Sequence, residues 1–324
     1  MKKIVSLLST ILLSSLLLTA CDTNNNSVTE DGSNVRIYVS LSQSDTFRNT
    51  LLEAATETAN KNGAEIVIYE ANNSVEKQVA QIKQAVSENY DVIMCAPVDA
   101  DTAQELEALA GDLPIIFYNS CPKESVLEAD QYMYVGSDEK VAGEYQAEYI
   151  LNKFANKDEI NVVLLNGEKN HSATNGRSEG LKNTLATSGK TINYVFEDYA
   201  DWDANISEEY FDIFLKTGQD VDVIACQNDT MALGVIESCK KNNIEDVLVL
   251  GIDATSEGCQ AIEDGLMEFT VYQSAKGQGE MAVKAAIALG SNSSTKDIEG
   301  VSDDGLYIWV PFEKVDSSNV SSYK

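Results

Sequence analysis

The chain has 324 residues, 44% of them hydrophobic and 23% charged, which is material for about two globular cores at ~150 residues each. Its 23 basic residues face 52 acidic ones, a net charge of −29. Such a field repels phosphate backbones and excludes nucleic acid as a partner, whereas a neutral, hydroxyl-rich or cationic ligand meets no penalty.

Lys2 and Lys3 open the chain, followed by the apolar run IVSLLSTILLSSLLL, then Leu18-Thr19-Ala20-Cys21 and the polar stretch DTNNNSVTEDGSN. That order of charge, apolar run and small residues is an export signal rather than a core helix. Leu-Thr-Ala-Cys resembles the lipobox of bacterial lipoproteins. The resemblance implies a signal peptide over 1–20, lipidation of Cys21, and a flexible tether over 21–34 that holds the protein outside the cytoplasm on the cell membrane. A plain cleaved signal, or a single membrane anchor, is the alternative.

Five further cysteines, Cys95, Cys121, Cys226, Cys239 and Cys259, form no C-x-x-C pair. Cys95 and Cys226 lie in apolar runs and read as small core residues, so no structural disulfide is expected.

From residue 35 short apolar runs alternate with helical patterns: VRIYVS, AEIVIYEA, DVIMCAP and PIIFYN, then INVVLLNG, VFEDYA, VDVIACQN, VLVLGID and FTVYQS. These read as buried strands, and Val75, Val79, Ile82 and Val86 between the second and third predict an amphipathic helix across the sheet. Repeated strand, helix, strand predicts parallel sheets with right-handed crossovers. Four runs precede residue 120 and five follow residue 155, which favours two lobes over one sheet. The linker-like SNSSTKDIEG (291–300) and the late run GLYIWVPFEKVD suggest a return to both lobes near the end.

In doubly wound sheets ligands sit where strands end and helices begin. The residues at those junctions are Asp45 and Phe47, Asn119, His171 and Arg177, Trp202, Asn228 and Asp229, Asp253, and Gln273. Planar amides, carboxylates and guanidinium groups hold neighbouring hydroxyls, and aromatic rings cover the C–H faces of a pyranose. Their convergence describes a sugar site. Each residue has a plainer reading too. Asp45, Asp229 and Asp253 could be helix N-caps, Phe47 and Trp202 could be core, and His171, the one histidine, could be an exposed loop residue in GEKNHSATNGR.

SQSDTFRNTLLEA, IIFYNS, YMYVGSDEKVAGEYQAEYI, VVLLNGEKNHSATNGR, YADWDAN, IACQNDTMALGVIES, VLGIDATSEG and FTVYQSAKGQGEMA together resemble the periplasmic sugar-binding proteins, above all the galactose/glucose binders, from about 35 to 316. The resemblance implies a type I periplasmic binding protein fold: α/β, with two doubly wound parallel-sheet lobes on a three-strand hinge. The lobes are expected over 35–137 plus 274–303 and over 138–273 plus 304–324. It further implies that Asp45, Phe47 and Asn119 of the first lobe, with His171, Arg177, Trp202, Asn228, Asp253 and Gln273 of the second lobe or hinge, close on a sugar. The chain, expected to be a monomer without cofactor, would hand that sugar to an ABC transporter permease or a membrane receptor.

Two departures stand out. The galactose/glucose binders carry an aspartate two residues after the histidine, where this chain has Ala173, so the sugar's identity is open. They also carry a calcium loop where this chain has the shorter FANKDEIN, so no structural calcium is expected. In DWDANISEEYFD (201–212), Asp201, Asp203, Asn205 and Asp212 imitate an EF-hand loop, but Ile206 stands where a glycine is needed. No phosphate loop, nucleophile elbow or Cys/His constellation occurs, and the carboxylates read as hydroxyl acceptors rather than an opposed glycosidase pair. The expected function is a lipid-anchored solute-binding protein for a hexose or small hexoside, not an enzyme. The competing reading is a sensory module that signals to a chemoreceptor or kinase without transport.

Overall fold

The computed structural model describes residues 34–244 and 247–323; the leader and Cys21 lie outside them. The first sheet takes β1 (Arg36–Leu41), β2 (Glu65–Glu70), β3 (Val92–Cys95), β4 (Ile115–Tyr118), β5 (Tyr132–Gly136) and, much later, β11 (Tyr307–Trp309) in the order β11-β5-β4-β3-β1-β2. All its pairings are parallel. The second sheet, β12-β10-β9-β8-β6-β7, comprises β6 (Glu159–Asn166), β7 (Thr191–Tyr199), β8 (Val223–Cys226), β9 (Leu248–Leu250), β10 (Phe269–Tyr272) and the antiparallel edge β12 (Glu313–Asp316).

Inner strands are buried on both faces, which is why β3, β4 and β8 read as unbroken apolar runs. Helices cover both faces of each sheet: α1 (Thr46–Lys61), α2 (Val75–Ser87), α3 (Ala103–Ala110) and α9 (Ala275–Gly290) on the first, α4 (Glu139–Lys153), α5 (Ser172–Ala186), α6 (Ala204–Leu215), α7 (Asp229–Asn242) and α8 (Ser256–Glu263) on the second. Each sheet thus lies between two apolar clusters. This is the type I periplasmic binding fold.

The chain changes sheet three times: after β5, between β10 and α9, and between β11 and β12. The last change departs from the expected boundary at 303/304. Tyr307–Trp309 pairs with β5, Trp309 packs edge-on against Tyr134 and Tyr307 stacks on Trp309, so residues 304–309 stay with the first sheet and the crossing falls at 310–312.

The helix across the first sheet is α2; of the expected stripe Ile82 is buried, Val79 packs on the same apolar cluster and Val75 is half-buried, but the buried arc turns away from Val86. Val86 is 41% exposed, and Gln78, Gln81, Ile82 and Ala85 face inward. Gln78 donates to Ser40 Oγ and the Ala96 carbonyl and accepts from Val98 N–H, while Gln81 accepts from Ser40 Oγ. These bonds allow amides at the helix–sheet contact and rotate the helix toward them.

Cys95 and Cys226 are fully buried thiols within strands. Burial pushes Cys95 up to about 12, where it is inert as a nucleophile. In the EF-hand-like stretch, Asp203 caps α6 through Asn205 and Ile206 N–H, and Asp212 accepts from Ser238 and Asn242. Those carboxylates are occupied by the fold.

Candidate functional site

The carboxyl ends of the two sheets meet at a cleft of about 710 Å³. Asp45, Phe47, Asn119, His171, Arg177, Trp202, Asn228, Asp253 and Gln273 all line it. Asp229 does not: it is buried behind α8 and accepts from Thr255 N–H at 2.7 Å and from the Thr255 and Thr270 hydroxyls.

On the second-lobe side the centre is Arg177, buried on α5. Its Nε donates to Glu139 Oε2 at 2.7 Å, Nη1 donates to the Gln227 carbonyl, and Nη2 donates to Gln273 Oε1 at 3.1 Å. Gln273 in turn donates to Glu139 Oε1 at 3.1 Å. Glu139 comes from the first turn of α4, so the arrangement requires α4 to lie on α5. Two glycines permit this. A Cβ on Gly143 would stand 2.1 Å from the Arg177 carbonyl oxygen, and one on Gly180 would stand 2.0 Å from that of Lys140. A planar guanidinium gripped from three sides is pre-organised for forked donation.

Trp202 lies over Gly167, where a Cβ would meet its ring at 2.0 Å. Its edge meets His171 at a centroid distance of 5.7 Å, and Arg177 stands 5.6 Å over it. Phe47 enters from α1 on the first-lobe side. Both aromatic residues also touch an apolar cluster, so the core reading and the cavity reading hold together. Beside Phe47, Arg48 is buried, bonds Asp45 through Nη1, and donates through Nε to Asn119 Oδ1 at 2.9 Å.

Several of these groups are indeed caps. Asp45 caps α1, Asn228 caps α7, and His171 caps α5 by accepting from Ala173 N–H at Nδ1. With Nδ1 an acceptor, the neutral imidazole carries its proton on Nε2. Burial, reinforced by Arg48 and Arg177, pushes His171 down to about 3, so it stays neutral. Asp253 is no cap; Thr255 caps α8.

Backbone strain collects around the cavity: Asn119 (φ 63°), Trp202 (φ 63°), Asp253 (φ 118°) and Ala254 (φ 51°) lie in the left-handed region. Such conformations cost ~1–3 kcal/mol each and persist where the surroundings impose them. Sequence reasoning missed Arg48 and Glu139. Both stand in a first helical turn, where a charged residue reads as ordinary helix-end decoration, and the Gly143, Gly176, Gly180 spacing was the available signal for the α4–α5 contact.

A periplasmic binding protein domain model matches residues 37–293. The chain is 28% identical over 295 residues to a putative rhizopine-binding protein of Rhizobium meliloti, covering 89% of this chain and 92% of that one. To a D-galactose/methyl-galactoside binding periplasmic protein of Haemophilus influenzae it is 26% identical, covering 81% and 82%. Among solved structures, an ABC transporter solute binding protein from Bacillus halodurans with bound myo-inositol superposes with a TM-score of 0.79 at 30% identity, covering 91% of this chain and 99% of that one.

Proposed function

This chain belongs to the periplasmic binding protein domain family and is a sugar-binding protein of the ABC-transport kind that works outside the cytoplasm, and from that premise we propose that it captures a small polyhydroxylated ring by closure of its lobes. The ligand is a hexose, a small hexoside or a cyclitol. The protein is held at the membrane by the lipid on Cys21 and passes its ligand to a permease without altering it. The observation that carries the reading is the convergence, in one cavity, of Asp45, Asn119, His171, Arg177, Asn228, Asp253 and Gln273 with Phe47 and Trp202. Forked donors and acceptors fit adjacent hydroxyls, and the two rings fit the C–H faces. The galactoside and myo-inositol bound by the relatives are rings of this description.

Ala173 shapes the choice among them. It lines the cavity with His171, and its methyl leaves room on that side for a ring substituent. A substituted sugar such as a methyl galactoside then binds more tightly than free galactose, and Ala173→Asp reverses the order. Calorimetric titration of the chain from residue 22, against hexoses, pentoses, galactosides and cyclitols, tests the function. Micromolar or tighter binding of a ring polyol is expected; no heat with any of them, or turnover of one into product, overturns it.

A further inference from the structure

Asp229, the first residue of α7, is fully buried behind the cleft and does not line it. An acid at that position ordinarily complements its own helix end. Here α7 has another cap, Asn228, which accepts from Met231 N–H, and among the described residues every hydrogen bond to the Asp229 carboxylate comes from a different element. Oδ2 accepts from Thr255 N–H at 2.7 Å and from the Thr255 hydroxyl at 3.2 Å, and Oδ1 accepts from the Thr270 hydroxyl at 2.6 Å. Two glycines form the socket: a Cβ on Gly251 would stand 2.1 Å from Oδ1, and one on Gly258 would stand 2.2 Å from Oδ2. Burial pushes the carboxyl up to about 7, against the Thr270 and Thr255 bonds and Arg177, which favour its charged form.

These bonds run to the turn that carries Asp253 and Ala254, two cavity residues held at φ 118° and 51°. Residues with a Cβ rarely adopt such angles, which persist only where the surroundings impose them. Three successive N–H groups of the turn are held: Asp253 donates to the Val271 carbonyl at 2.7 Å, Ala254 to Thr270 Oγ1 at 3.3 Å, and Thr255 to Asp229. The Thr270 proton is committed to Asp229, so that hydroxyl turns its lone pairs to Ala254. Two of the three restraints therefore end on Asp229, one directly and one through Thr270. Resting on the reading of this cavity as a polyol site, we propose that Asp229 is a positioning residue for ligand capture, which together with Thr270 holds the 253–255 turn and so fixes where Asp253 and Ala254 meet the ligand. Asp229 itself stays clear of the ligand.

The test replaces Thr270, which leaves α7 untouched. Thr270→Val keeps the shape and removes the hydroxyl; Thr270→Ser keeps the hydroxyl and removes a methyl group. Both are titrated calorimetrically, well below their melting temperatures, with whichever of galactose, methyl galactoside and myo-inositol binds the parent protein most tightly. Thr270→Val is expected to bind it about tenfold more weakly, the scale of one hydrogen bond to a charged group, while Thr270→Ser binds as the parent does. A residue that only filled the core would give the reverse, with the loss in Thr270→Ser and in its melting temperature rather than in affinity. Asp229→Ala is expected to weaken binding at least as much as Thr270→Val; if it fails to fold, the Thr270 pair decides. If Thr270→Val or a folded Asp229→Ala binds as the parent does, or if Thr270→Ser loses as much affinity as Thr270→Val, the inference is overturned and the polyol function stands. Failure of all three compounds to bind the parent overturns that function, and the inference with it.

Discussion

Gly180→Ala probes the contact on which the arginine site depends. The new Cβ would stand 2.0 Å from the Lys140 carbonyl oxygen and 3.1 Å from Glu144 N, against about 3.4 Å for ordinary contact, so α4 must withdraw from α5 by about 1.4 Å. The obstructing atoms are backbone and cannot turn aside. In an exposed helix the exchange would be favourable by ~1 kcal/mol through helix propensity. Here overpacking of ~1–3 kcal/mol or more opposes that gain, and because the clash is with backbone the upper end applies. The expected net loss is about 1–2 kcal/mol, read as a fall of a few degrees in the melting temperature. The same shift carries Glu139 out of its 2.7 Å bond to Arg177. A charge-assisted bond of this kind is worth ~1.5–3 kcal/mol, so ligand affinity falls by about tenfold or more. Circular dichroism melts and calorimetric titration read the two effects on the same sample. A Gly180→Ala protein that melts higher and binds as the parent does would refute the packing argument.

Trp202→Ala, expected to leave the fold intact, weakens ligand binding by ~2 kcal/mol or more, since a central aromatic anchor is removed; titration showing full affinity returns Trp202 to a purely structural role. Glu107 has a buried Oε1 without a partner, and burial, with Glu128 adding to it, raises the carboxyl to about 7 from its ordinary 4.5. The folded state therefore binds the proton more tightly than the unfolded chain. The stability this confers is present below about 4.5 and is lost as pH rises through about 7. Glu107→Gln should accordingly melt above the parent at pH 8 and with it at pH 4; equal melting at both values contradicts the assignment. Cys21→Ala should release the protein from the membrane fraction or block its processing, as fractionation and mass spectrometry would show, and lipid-modified protein in that variant contradicts the anchor.

The parallel interior of both lobes was legible because strands buried on two faces cannot hide their apolar runs. β5 was harder to find: Tyr132–Gly136 is short and its tyrosines resemble a surface patch until β11 covers them. The same pairing moved the last crossing beyond 303. The nine cavity residues were legible because strand ends repeat a single placement rule. Arg48 and Glu139 were not, since their roles exist only through partners distant in sequence, Asn119 for one and Arg177 for the other.

Lobe closure on a ring polyol is the central claim, and small-angle X-ray scattering of the chain from residue 22 tests it most directly. With the panel member that gives the strongest heat added to saturation, the radius of gyration should fall below that of the ligand-free protein, because groups from both sheets engage one molecule and favour the closed state. An unchanged radius at full saturation would contradict the account.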